Sequence, residues 1–159
     1  MEVPQLLGVW LHTVAFVIAW GYYGILGRMV IPALERSLDG PAMARTLLAI
    51  ERRALPLVLL SMAVFLVTGT YLLFVDPKYA GLGDFFANSW TTLMLVKHLV
   101  VVVLIALGVV VDFLVRRVGE ATDEATRAPA LRRLQLSAEG ATGVGALIVL
   151  LTAAAQGAQ

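Results

Sequence analysis

The stretch Trp10–Arg28, WLHTVAFVIAWGYYGILGR, is a mostly apolar run that carries His12, one of only two histidines in the chain. An imidazole in a lipid-spanning helix loses its water and needs a partner, so an intramembrane histidine predicts a functional site. The second histidine, His98, lies in another apolar run. Whether these two side chains meet decides the functional interpretation of the chain.

The composition predicts an integral membrane protein. Of the 159 residues, 60% are hydrophobic and 14% are charged, whereas soluble domains are roughly half apolar and about one-quarter charged. The absence of cysteine excludes disulfides, thiolate metal sites and covalent c-type haem. The formal net charge is +1 and the charges crowd into two segments, so no nucleic-acid partner is indicated.

Four apolar segments are long enough to cross a hydrocarbon core of about 30 Å, which needs ~20 residues of helix. They are Pro4–Ile31, Leu55–Val75, Trp90–Val115 and Leu134–Ala154. We predict an all-α membrane protein, with one four-helix domain over residues 1–159 arranged as an up-down bundle.

The connection between spans one and two contains a further helix signal. Asp39, Gly40 and Pro41 are typical of a helix start, and apolar residues then recur at helical spacing. We therefore predict a short cytoplasmic amphipathic helix there. The 76–89 loop carries the aromatic pair Phe85 and Phe86, which favours a lid lying on the membrane surface.

Arginines flank the first and third connections, whereas the termini and the 76–89 loop carry few basic residues. The positive-inside rule then places both termini and this loop outside a plasma or inner membrane. Small residues at close spacing in spans one and four predict tight helix packing, within the bundle or across a homodimer.

The two histidines are predicted to share one layer. Each lies about eight residues inside its span, so both are ~12 Å below the same surface at 1.5 Å per residue. Spans one and three are diagonal in an up-down bundle, with axes on the order of 11 to 14 Å apart. That gap accommodates two imidazoles with a metal between them. The predicted His12 face carries Gly8, Ala15, Phe16, Ala19 and Tyr23, and the predicted His98 face carries Met94, Leu95, Val101, Val102 and Ile105.

Three interpretations of this layer remain open. An apolar slot with two axial histidines suits haem b, with Lys97 snorkelling outward toward the propionates. Copper is the alternative metal, because imidazole and thioether are both copper ligands and Met94 lies four residues from His98. In the third interpretation the protein has no cofactor and the histidines only hydrogen-bond neighbouring helices.

A second polar layer is predicted near the opposite face, formed by Arg28, Arg52, Arg53 and Glu139. A carboxylate at that depth should pair with an arginine, so a structural ion pair is the favoured interpretation.

Short motifs in all four spans resemble one membrane superfamily, the HemJ-type protoporphyrinogen oxidases together with the CopD-like copper-resistance domains. His12, followed by Trp20 and Arg28, is similar to the first span of the HemJ type. The segment IERRAL, residues 50–55, resembles its M-E-[KR]-R-L motif. The remaining similarities are Trp90 and Lys97 in span three and Glu139-Gly140-Ala141 in span four.

The resemblance implies one of two functions. The HemJ type implies haem b held partly by His12 and oxidation of protoporphyrinogen IX, with a redox partner or quinone as electron acceptor. The CopD-like branch implies copper handling. In the HemJ type the third-span histidine precedes the lysine by two residues, whereas His98 directly follows Lys97. Catalyst, electron carrier and haem sensor all stay open, and no catalytic residue is assigned.

Overall fold

Long α-helices make up most of the computed structural model, which describes residues 2–81, 83–84 and 86–158. In chain order the helices are α1 Val3–Ile25, α2 Ile31–Ser37, α3 Gly40–Val75, α4 Ser89–Glu120 and α5 Glu124–Gly157. A π-helical turn, Leu26–Val30, joins α1 to α2, so that residues 3–37 form one continuous helical segment.

Within the described ranges, four helical segments are long and apolar enough to cross a membrane, which confirms the predicted four-span bundle. Large apolar side chains point outward along them, among them Leu60, Val67, Val109 and Leu150 at 62 to 70% exposure. A soluble bundle would cover such a surface with polar side chains, so lipid is its natural environment.

The predicted amphipathic helix exists, but it is not separate from the second span. Asp39 caps it as expected, its carboxylate accepting a hydrogen bond from the Ala42 amide at 2.8 Å. The helix then runs through Arg52, Arg53 and Pro56 without interruption as the first part of α3. In the 76–89 loop Phe86 is exposed, whereas Phe85 lies outside the described residues.

The π turn lies directly before Pro32. Proline has no N–H, and its ring clashes with the carbonyl four residues earlier in a regular α-helix. The wider turn brings the Ile31 amide onto the Leu26 carbonyl, five residues back. It therefore shifts the hydrogen-bond register by one residue where the proline must be accommodated.

Helix α5 starts earlier than predicted, at Glu124, with Pro129 inside it. Asp123 is its N-cap and accepts hydrogen bonds from the hydroxyl and the amide of Thr126, each at 2.8 Å. The Thr126 hydroxyl and then the Thr126 amide hold the pKa of Asp123 below its usual value. The third connection is consequently short and α5 follows α4 closely.

The helices pack as an up-down bundle in which α1 contacts α3 and α5, while α4 contacts α5 and α3. Helices α1 and α4 are therefore diagonal, as predicted. The Trp20 indole N–H donates to the Thr142 carbonyl at 2.8 Å, against the space that Gly145 leaves.

Lys78 Nζ lies 2.5 Å from the Ala158 carbonyl, so the 76–88 loop and the C-terminus share one end, here called the terminal end. We call the opposite end the arginine end.

Candidate metal centre

Near the terminal end the four long helices surround a cavity of about 290 Å³, here called the histidine cavity. Both histidines border it, which agrees with the predicted common layer. Most of its wall is apolar, and the polar groups on it come from every long helix. Residues that border it include His12 of α1, Gly69 and Asp76 near the end of α3, Met94, Lys97 and His98 of α4, and Thr152 of α5.

His12 is half-buried and held by α3. Its Nδ1 lies 3.0 Å from the Phe65 carbonyl oxygen and 3.1 Å from Thr68 Oγ1. A carbonyl only accepts, so Nδ1 carries the hydrogen and Nε2 keeps its lone pair. The Thr68 hydroxyl donates in turn to the Val64 carbonyl at 2.6 Å, which leaves its oxygen free to accept from the imidazole.

The imidazole of His12 also packs face to face on an aromatic ring. The ring centroids of His12 and Phe65 are 4.3 Å apart with an interplanar angle of 19°. Gly69, one turn further along α3, leaves the space for the other edge, since a Cβ there would lie 2.8 Å from His12 Cε1. The hydrogen bond to Phe65, the stacking on its ring and the space at Gly69 together fix the direction in which His12 Nε2 points.

His98 is exposed at the edge of the same cavity. Its Nδ1 lies 2.6 Å from the Met94 carbonyl one turn earlier on α4, so Nδ1 again carries the hydrogen and Nε2 keeps a lone pair. The Met94 side chain is half-buried and borders the cavity as well. Two imidazole nitrogens and one thioether are thus available around one space.

The sequence predicted that Lys97 points outward, and the structure shows that it does not. It is half-buried and borders both the histidine cavity and an adjoining cavity of about 260 Å³. It shares a helix stripe with the buried Val101 and Leu104. Val101 and Val102 were both predicted on the His98 face, but Val102 is 62% exposed. Helix α4 is therefore rotated toward Lys97, because this stripe packs into the bundle. No described residue forms a hydrogen bond or ion pair with the Lys97 ammonium.

The predicted His12 face is confirmed: the buried residues of α1 are Gly8, Ala15, Phe16, Ala19 and Tyr23. These residues do not all border a cavity. Phe16 borders the adjoining cavity together with His12. Gly8 instead faces the ring of Tyr71, where an added Cβ would lie 3.3 Å away, so its role is close packing of α1 on α3.

The structure does not bring the four residues of the predicted second layer together. Arg28, Arg52 and Arg53 are exposed, and among the described side chains Glu139 hydrogen-bonds Gln135 at 3.3 Å rather than an arginine. The observed ion pairs in this part of the chain are Arg116 with Asp112 and Arg127 with Glu124, each at 3.1 Å. Each pair lies within one helix, where side chains one turn apart meet without help from packing.

The buried carboxylate at the arginine end is Glu51, which is 6% exposed and hydrogen-bonded to the Tyr22 hydroxyl. Glu51 is the glutamate of the IERRAL segment, and no role was predicted for it from the sequence. Its position one turn before Leu55, on the inner face of α3, was the available signal. Among the described residues, no three His, Cys, Asp or Glu side chains form a metal-binding group.

A model of the family described as copper resistance protein D, CopD, matches residues 48–155. The chain belongs to the CopD family. Comparisons with curated proteins and with solved structures give no match. The CopD match agrees with one branch of the predicted resemblance, and it gives no support to the HemJ-type branch.

The CopD segment covers α3 from Leu48, all of α4 and α5 up to Ala155, but not α1. Met94, Lys97, His98 and Glu51 lie inside the matched residues, and His12 lies before them. The position of His12 therefore follows from the packing of α1 on α3 and α5, and the family match adds nothing to it.

Proposed function

We propose that this multi-pass CopD-family protein binds copper in the histidine cavity and transfers it across the membrane. The observation that supports this most is the donor set: His12, His98 and Met94 border one cavity, and both Nδ1 atoms are occupied by carbonyl oxygens. The family description supports copper as the metal.

The donor set fits copper in its reduced state. Soft thioether ligands select Cu(I), and imidazole is a common copper ligand. A carbonyl that accepts from Nδ1 fixes the tautomer and makes the other nitrogen a better ligand. In this proposal His12 Nε2, His98 Nε2 and Met94 Sδ hold the ion. Lys97 opposes a cation electrostatically, and the carboxylate of Asp76 on the same wall offsets this effect.

Copper binding is tested by titrating detergent-purified protein with Cu(I) in competition with a coloured chelator. The wild-type chain should bind one ion. His98→Ala and Met94→Leu should each weaken binding by at least ~10-fold, a loss comparable to or larger than that of removing an outer-shell group. Met29→Leu is the matched control, because Met29 is 65% exposed outside the cavity. Absence of binding, or equal affinity in all four proteins, would overturn the proposal.

Haem b remains the second candidate, because two imidazole nitrogens with free lone pairs and a half-buried lysine border the same cavity. Oxidation of protoporphyrinogen would follow only from a HemJ-type function. An absorption spectrum separates the two metals. Protein from a haem-supplied host should lack a Soret band if copper is the natural ligand, and a low-spin haem spectrum that is lost in His12→Ala would favour haem.

We propose further that both termini lie outside the membrane and the arginine end lies in the cytoplasm, following the distribution of arginines. The chain has no cysteine, so single cysteines report their side directly. Pro77→Cys should react with an impermeant maleimide added to whole cells, and Thr122→Cys should react only after lysis. The reverse pattern would contradict this orientation.

A further inference from the structure

A separate cavity of about 290 Å³ lies at the arginine end, between α3 and α4. It is separate from the histidine cavity and shares no residue with it. Its charged lining consists of Glu51 and Arg52 from α3 and Asp112, Arg116 and Glu120 from α4. Arg52, Arg116 and Glu120 are exposed, so the rim of the cavity is charged and open, whereas Glu51 is 6% exposed and forms its inner wall.

Glu51 has no arginine partner among the described residues. The guanidinium of Arg116, which borders the same cavity, pairs instead with Asp112 at 3.1 Å. The hydrogen-bond partner of Glu51 is the Tyr22 hydroxyl of α1, which contacts Oε2 closely. A buried carboxylate with a neutral phenol as its partner is costly in the charged form, and binding a proton removes that cost.

We propose that Glu51 and Tyr22 form a proton-binding site that exchanges protons with the solution at the arginine end. A hydronium ion that enters the cavity from the solution transfers a proton to the Glu51 carboxylate: one O–H bond of the hydronium breaks, one carboxylic O–H bond forms, and neutral water remains. In the charged state the Tyr22 hydroxyl donates to Oε2. In the neutral state the phenol oxygen accepts from the carboxylic O–H, or it continues to donate if the proton resides on Oε1.

The groups around Glu51 suit reversible exchange. From α1, Tyr22 contacts it and Tyr23 lies next to Tyr22, with ring centroids 5.4 Å apart. From α4, Asp112, Arg116 and Glu120 face the cavity, and Arg52 lies on the same helix as Glu51. Because Asp112 and Arg116 pair with each other, their charges largely offset one another at Glu51. A buried ionisable group in a spanning helix with a path to water is the arrangement found in proton relays.

Infrared spectroscopy of the full-length protein in detergent tests this site. A pH difference spectrum should contain a carbonyl band of a protonated carboxylic acid that is absent from Glu51→Gln. The matched control is Glu120→Gln, which changes a carboxylate on the exposed rim of the same cavity and should keep the band. Absence of the band from the wild-type protein, or its persistence in Glu51→Gln, would overturn the proposal.

A second variant covers the case in which Glu51→Gln does not fold. Tyr22→Phe removes only the phenol oxygen that touches Glu51, so the same band should shift to higher frequency as its hydrogen bond is lost. A band at unchanged frequency in Tyr22→Phe would show that the titrating acid is another residue. Neither variant touches the histidine cavity, so copper affinity should be unchanged in both, and failure of the copper proposal would leave this one intact.

Discussion

At the scale of single residues, His12 is defined by what holds its other nitrogen. Its Nδ1 donates to the Phe65 carbonyl and its ring stacks on Phe65, so only Nε2 is available toward the cavity. Sequence alone predicted a partnered histidine at this depth. It did not predict Thr68 or Gly69, because their contact with His12 depends on the rotation of α3 against α1.

Substitutions of His12 can distinguish the roles of its two ring nitrogens. In His12→Asn the amide nitrogen takes the place of Nδ1 and keeps a donor for the Phe65 carbonyl, but no lone pair remains at the position of Nε2. We expect copper affinity to fall by at least ~10-fold, with stability near wild type. His12→Gln loses the Phe65 bond as well and should be less stable by about 1 kcal/mol. Copper titration and thermal melting measure both, and wild-type affinity in His12→Asn would exclude His12 as a ligand.

Removing the charge of Lys97 shows whether the cavity holds a cation or an anionic ligand. A unit charge ~8 Å from a metal ion at an effective permittivity of about 20 is worth about 2 kcal/mol. Lys97→Gln should therefore tighten Cu(I) binding by about tenfold or more. Lys78→Gln is the control, because Lys78 lies on the terminal loop outside the cavity. Weaker metal binding in Lys97→Gln would show that the ammonium holds an acidic group, such as a haem propionate.

At the scale of helices, the sequence predicted α1 better than α4. Glycine, alanine and aromatic residues mark one face of α1, and that face is the buried one. The run LVVVVLIALGVVV in α4 is apolar on every side, so its pattern does not indicate which face packs inward. The packing of α4 on α5 and α3 determines which face is buried, and Lys97 is more buried than His98 as a result.

Close packing of α1 on α5 depends on Gly145. A Cβ at this position would overlap the Trp20 indole, whose N–H is tied to the Thr142 carbonyl. Gly145→Ala should lower the free energy of unfolding by about 1 to 3 kcal/mol through overpacking. Gly143→Ala is the matched control, since an added Cβ there meets nothing within 4 Å. It should be neutral or up to ~1 kcal/mol more stable. Equal melting temperatures in the two variants would contradict this packing.

At the scale of the whole molecule, composition and hydropathy predicted the four spans and the up-down order. The predicted amphipathic helix and the second span form one continuous helix, α3, because the exposed Arg52 and Arg53 require no break in it. The separation of Glu139 from the arginines was missed, because charges near one end of a bundle need not share a face. The common layer of the two histidines was predictable, because the depth of a residue in a helical bundle follows directly from its position along the helix.

The central claim is a copper ion held by His12, His98 and Met94, and X-ray absorption at the copper edge of the Cu(I)-loaded protein tests it most directly. We expect imidazole scattering together with one sulfur neighbour, and the sulfur should be lost in Met94→Leu and retained in Met29→Leu. Copper that lacks either the sulfur neighbour or the imidazole scattering, or a protein that retains no copper, would contradict this site.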